Sequence, residues 1–193
     1  DRFAAAKAAG FEAVEFQFPY EFSAQEIHTR LNDAGLELVL FNFPAGDFGS
    51  GDRGKACYPD RVDDFRRSIE TGLEYAAVLK PAKMNCLAGK YSADLGHDVQ
   101  FDTLIDNLHW AADQTQSAGI RMVIEPLNPF DAPDFFLPTP TIGFGLTRIV
   151  DHPNIAVEYD IYHAQRTEGN IIWTLEQYID RIGHIQLADS PGR

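Results

Sequence analysis

Arg121-Met-Val-Ile-Glu-Pro-Leu-Asn128 is a short apolar, β-branched run that ends on a single acid and turns at once into a Pro/Asn loop. Such a run suits a buried, pleated strand, and the proline stops it. Glu125 therefore stands at the carboxyl end of a predicted strand, the position from which barrel enzymes present their reactive groups. The pattern returns twice downstream, in Ile155-Ala-Val-Glu-Tyr-Asp-Ile-Tyr-His163 and in His184-Ile-Gln-Leu-Ala-Asp189. Three successive predicted strands thus deliver oxygen or nitrogen donors near their ends.

Upstream, Phe11 to Gln17 alternates as a strand, and Ser23-Ala-Gln-Glu26 is a capping box opening a helix with Ile27, Leu31 and Ala34 on one face before Gly35. Further strands are predicted at Leu36 to Asn42 and Ala82 to Leu87. The Gly- and Asp-rich segment Phe43 to Pro59 between them reads as a long loop of the kind that often carries function. Helices are expected near Arg61 to Leu79, Phe101 to Ser117, Ile142 to Val150 and Ile171 to Ile182, and another opens the chain and stops at Gly10. Six strands alternating with six helices imply parallel strands joined by crossover helices. The chain is read as a single α/β domain over residues 1–193, a (β/α)8 TIM barrel of which about six of the eight units are present. A doubly wound open sheet is the rival, but no glycine-rich phosphate turn follows an early strand.

Sixteen basic against 29 acidic residues give a formal net charge of -13. That balance speaks against nucleic acid or an anionic membrane as partner and is compatible with a divalent cation. Cys57 and Cys86 provide neither a disulfide framework nor a metal spacing, which fits buried thiols in a reducing cytoplasm. No run of 18 apolar residues and no signal-peptide pattern occurs, so a soluble cytoplasmic protein is expected. The opening helix has no initiator Met, and Ser190-Pro-Gly-Arg193 follows a strand directly. A fragment is therefore expected, whose open sheet edges would favour a homo-oligomer.

Each candidate also has a plain structural reading: Glu125 as a solvated strand-end acid, Asp160 and His163 as a loop salt bridge, Gln186 as a satisfied core amide. Asn85 could be a turn cap and Lys90 a surface charge. Read together, Glu125 and Asp160 with an amide or imidazole form an oxygen- and nitrogen-donating set without thiolate, suited to Mg²⁺ or Mn²⁺. Such an ion, chelated by a hydroxy-ketone, would acidify a C–H bond while a carboxylate moved the proton through an enediol. Asn85 and Lys90, at and just beyond a strand end, would face the same mouth.

At these residues the chain resembles the hydroxypyruvate isomerase family, within the xylose-isomerase-like TIM barrels that also include the tagatose 3-epimerases. The resemblance runs from Gly10-Phe-Glu-Ala-Val-Glu-Phe16 and Phe18-Pro-Tyr20 through Asn42-Phe-Pro-Ala-Gly-Asp47, Lys83-Met-Asn-Cys-Leu87 and Ile124-Glu-Pro-Leu-Asn128. It continues in Tyr159-Asp-Ile-Tyr-His163 and Gly183-His-Ile-Gln-Leu-Ala-Asp189. It implies interconversion of hydroxypyruvate and tartronate semialdehyde, or of a longer 2-oxo-tetronate. It further implies Glu125 as metal ligand and proton shuttle, Asp160 and Gln186 as metal ligands, and His163, Asp131 and Arg193 as substrate contacts. The family's second catalytic glutamate would lie on an eighth strand beyond Arg193, so a catalytically incomplete fragment that binds a metal or partner is the competing reading. A DNA repair endonuclease on the same barrel would call for a positive groove and several histidine ligands. The acidic charge and only six histidines oppose it.

Overall fold

The computed structural model describes residues 2–192, with Asp1 and Arg193 outside the description. Six strands, β1 (Ala13–Phe16), β2 (Glu37–Asn42), β3 (Lys83–Asn85), β4 (Arg121–Ile124), β5 (Ile155–Asp160) and β6 (Ile182–Gln186), form one sheet in sequence order. All five pairings are parallel. The α-helices are α1 (Arg2–Ala8), α2 (Ala24–Ala34), α3 (Val62–Leu79), α4 (His97–Ser117), α5 (Pro140–Val150), α6 (Ile161–Thr167) and α7 (Ile171–Tyr178). The sheet curls into an incomplete barrel. Glu15 on outermost strand β1 is hydrogen-bonded to His184 and Gln186 on the opposite outermost strand β6.

The alternation of strand side chains explains the two apolar regions. Outward-facing Phe41, Met84, Met122 and Ile124 are buried with Ile69 of α3 and with Leu104 and Leu108 of α4. Each such side chain contributes about 1.5–3 kcal/mol by leaving water. Inside the curl, Leu40, Val123 and Ala156 form a small apolar floor below the polar strand ends. At Gly183 the β5–β6 register shifts, and a Cβ there would stand 2.8 Å from both Ala156 Cβ and Val123 Cγ1. Only glycine allows β6 to come that close to the floor.

Local signals account for most element ends. The Ser23 hydroxyl accepts from Glu26 N–H at 3.2 Å, and Gly35 takes the left-handed conformation (φ 63°) that ends α2. Only half of the expected capping box forms, because Glu26 pairs with Arg30 instead. α4 starts one turn before the predicted Phe101. The last predicted helix ends early: α7 stops at Tyr178, a 3₁₀ turn covers Ile179–Arg181, and Ile182 already belongs to β6. Pairing of Ile182 opposite Val157 draws β6 two residues ahead of its predicted start. α6 is an element the sequence pattern did not reveal; its seven residues are too few for a periodic apolar stripe. The long loop between β2 and α3 is present, but Phe43, Ala45, Ala56 and Cys57 within it are buried. Cys57 and Cys86 are free buried thiols, both pushed up to about 12 by burial. Among the described residues no helix is long and apolar enough to cross a membrane.

Candidate active site at the carboxyl ends of the strands

A cavity of about 480 Å³ opens inside the curl and is lined by Glu15, Asn42, Glu125, Glu158, Asp160, His184 and Gln186 among others. Strand geometry gathers them: Glu125 follows β4, Asp160 ends β5, and Gln186 ends β6 directly beside Asp160 in the parallel register. His163 enters from the first turn of α6, which Asp160 caps by accepting from Tyr162 N–H at 2.7 Å. One donor atom from each of Glu125, Asp160 and His163 lies within 4.8 Å of the other two. Asp160 is almost sealed, with 1% side-chain exposure, whereas Glu125 keeps 12% and remains the more accessible carboxylate.

Hydrogen bonds fix the orientation of these groups. Asn85 donates from Nδ2 to Glu125 Oε2 at 3.0 Å, so its amide is a holder of the acid behind the cavity. His163 Nδ1 accepts from Asn128 N–H at 3.1 Å. A backbone amide can only donate, so Nδ1 has no proton and the ring carries its hydrogen on Nε2. That Nε2–H faces Asp160 at 3.7 Å and Glu125 at 3.9 Å. His163 thereby turns a proton donor, and not a lone pair, toward the two acids. Asn128 is held in turn by donating from Nδ2 to Asp131 Oδ2 (2.9 Å), the same oxygen that accepts from Tyr162 Oη (2.6 Å). The Tyr162 hydroxyl first, and the Asn128 amide second, hold the Asp131 carboxyl below its ordinary range.

A second polar layer lies beneath the first. Glu15 Oε2 accepts from His184 Nε2 (2.6 Å), Glu15 Oε1 accepts from Gln186 Nε2 (2.7 Å), and Lys83 Nζ donates to His184 Nδ1 (3.3 Å). The His184 hydrogen bond is the main reason that Glu15 lies below the usual carboxylate range. Glu158, two residues before Asp160, is buried, and its Oε2 has no hydrogen-bond partner among the described residues. Burial first, then the charge of Glu125, pushes Glu158 well above the ordinary range and favours its protonated form.

Glu125, Asp160 and Gln186 therefore share one cavity as the sequence predicted, with His163 beside the two acids and Asn85 behind the first. Asp131 lies in the loop after β4 as the brace of Asn128. Lys90 is not among the cavity-lining residues; its main-chain N–H donates to Tyr58 Oη, and its carbonyl accepts from Gln100. Asn85, Asp131 and Lys90 had all been expected at the substrate, and none of the three lines the cavity. The expectation for Arg193 lies outside the described residues. Lys83, Glu158 and His184 were missed, although each stands two residues before a site residue on the same strand and hence on the same face.

The donor set fits a divalent cation. Two carboxylates and an amide, without sulfur, match the oxygen chemistry of Mg²⁺ or Mn²⁺. The close approach of acids in a partly closed cavity is the arrangement a cation would relieve.

A family described as xylose isomerase-like TIM barrel matches residues 3–193. The chain is 41% identical over 192 residues to hydroxypyruvate isomerase of Escherichia coli (strain K12). It is 42% identical over 193 residues to 2-oxo-tetronate isomerase of Cupriavidus necator. Each match takes in 100% of this chain and 74% of the relative. A crystal structure described as an AP endonuclease, family 2, from Brucella melitensis superposes with a TM-score of 0.97 at 36% identity, covering 100% of this chain and 74% of that one.

Proposed function

This chain belongs to the xylose isomerase-like TIM barrel family, and on that premise we propose that it interconverts hydroxypyruvate and tartronate semialdehyde by proton transfer between adjacent carbons. The observation that carries this reading is the grouping of Glu125, Asp160 and His163 within 4.8 Å beside Gln186 at the strand ends. Glu125 is the base. It is the more exposed of the two carboxylates, and Asn85 holds it by one oxygen. Glu125 takes a proton from C3 of hydroxypyruvate, the electron pair of that C–H bond forms the enediol double bond, and a proton is returned to C2. The hydroxyl hydrogen moves from O3 to O2, so that substrate and product are isomers with no net redox change.

Asp160, Gln186 and Glu125 are the residues that would hold a divalent cation, Mg²⁺ or Mn²⁺. When bound, such a cation polarises the substrate carbonyl and makes the adjacent C–H more acidic. His163 presents its Nε2–H to the oxygen that gains charge in the enediolate. The buried Asp160 fixes the start of α6 and with it the place of His163.

The 2-oxo-tetronate isomerase of C. necator is as similar as the hydroxypyruvate enzyme, and the same chemistry on a longer acid is the second reading. The name of the Brucella relative raises nuclease activity. A formal net charge of -13 and a cavity lined by four acidic side chains favour the small-acid reading.

The test is a steady-state isomerase assay of the full-length protein with each acid, after chelation and after Mn²⁺ or Mg²⁺ is restored. Glu125→Gln is expected to lower kcat by about 10²- to 10⁴-fold. A Glu125→Gln variant as active as the parent would remove this residue from the chemistry, and inactivity on both acids would end the isomerase reading.

A further inference from the structure

We infer that Glu15 is a positioning residue that sets the face of the Gln186 amide, turning its carbonyl oxygen toward the cation-binding cavity. The inference deepens the metal site of the proposed function and rests on that reading. It follows from obligatory hydrogen-bond roles along a chain of four side chains. At one end Lys83 can only donate, and its Nζ is 3.3 Å from His184 Nδ1. His184 must then carry its hydrogen on Nε2, which stands 2.6 Å from Glu15 Oε2. Glu15, a carboxylate, can only accept, and its second oxygen is 2.7 Å from Gln186 Nε2.

The consequence falls on Gln186. An amide has one donor end and one acceptor end, and left free it could present either to the cavity. With its NH₂ fixed on Glu15, its carbonyl oxygen must diverge from Glu15. Asp160 is its register partner, and Gln186, Asp160 and Glu125 line one cavity, so that oxygen joins theirs. A flipped amide would set NH₂ hydrogens against a cation and an oxygen against the Glu15 carboxylate, and both contacts are repulsive. Both Glu15 oxygens are taken up by His184 and Gln186, so Glu15 acts through Gln186. The distance it spans adds to the effect: Glu15 is on β1 and Gln186 on β6, the two outermost strands, so the same carboxylate fixes both the amide and the strand that carries it. Partners of this kind behind metal ligands typically change metal affinity by about 10- to 100-fold.

The experiment is Mn²⁺ titration of the full-length protein without substrate, read by the electron paramagnetic resonance of free Mn²⁺, with circular dichroism as the check of folding. Glu15→Leu, which keeps bulk and removes both acceptors, is expected to raise the Mn²⁺ Kd about 10- to 100-fold. Glu15→Gln keeps the shape but can offer Gln186 either end of its own amide, and a smaller rise of about 3- to 10-fold is expected, below the 10- to 100-fold loss of the leucine variant. Should the leucine variant fail to fold, the glutamine variant decides. A Kd within about twofold of the parent in a folded variant would overturn the positioning role. If the unaltered protein binds no Mn²⁺, the metal reading is overturned and this inference with it, whereas binding that is insensitive to Glu15 overturns the inference alone.

Discussion

His163 carries its hydrogen on Nε2 because a backbone amide, Asn128 N–H, occupies Nδ1. That single contact decides whether the ring is a ligand or a donor, and nothing in the spacing of Asp160 and His163 foretells it. The carboxylates were more legible, since an acid that ends an apolar strand has few structural reasons to be there. The shared placement of Glu125, Asp160 and Gln186 could be read off their strand ends, whereas the placement of Lys90 and Asp131 could not, because loop conformation decides where each is held. Asp52 shows the same dependence on a distant partner. It accepts from Arg61 through both oxygens at 2.9 Å, and that pairing is the main cause of its lowered pKa. A depressed carboxyl adds stability that is fully present above the unfolded value near 3.9 and is lost as pH falls through the folded value. Stability of the parent is therefore expected to decline below about pH 4 in part through Asp52, and Asp52→Asn should flatten that part of the profile. At neutral pH the variant should lose about 0.2–1 kcal/mol in urea unfolding. An unchanged acid limb in Asp52→Asn would show that the Arg61 pair contributes nothing.

At the scale of elements, periodicity and caps were read correctly where they were long or strong. β5 occupies Ile155–Asp160 as predicted, and Ser23 and Gly35 bracket α2. α6 escaped because it is seven residues long and is set by Asp160 from a strand end. The start of β6 was misplaced because its register is a tertiary matter. Ile182 joins the strand by pairing with Val157, and the shift at Gly183 restores His184 and Gln186 to the inner face. Gly183 has a testable consequence. A methyl group there would meet Ala156 Cβ and Val123 Cγ1 at 2.8 Å. Gly183→Ala is expected to destabilise the protein by about 1–3 kcal/mol in equilibrium unfolding and to weaken Mn²⁺ binding through displaced Gln186. If the variant is as stable as the parent, the floor of the curl has more room than these distances give.

Over the whole molecule, the strict alternation of strands and helices made the parallel barrel legible, because crossover connections leave little choice of topology. What the alternation could not convey is how far the sheet curls, and so which residues meet across it. Glu15 reaches His184 and Gln186 over about 170 positions of sequence, and no local pattern records that meeting. The curl places an acidic cavity at the carboxyl ends of the strands, in a chain already bearing a formal net charge of -13. Small hydroxy-keto acids with a cation beside them suit such a site. The most direct test is to incubate the full-length protein with Mn²⁺ and hydroxypyruvate in D₂O and follow both isomers by nuclear magnetic resonance. Metal-dependent appearance of tartronate semialdehyde deuterated at C2, with exchange into C3 of hydroxypyruvate above the enzyme-free rate, is expected from proton transfer by an exchangeable carboxylate. Conversion without deuterium, or no conversion at all, would contradict it.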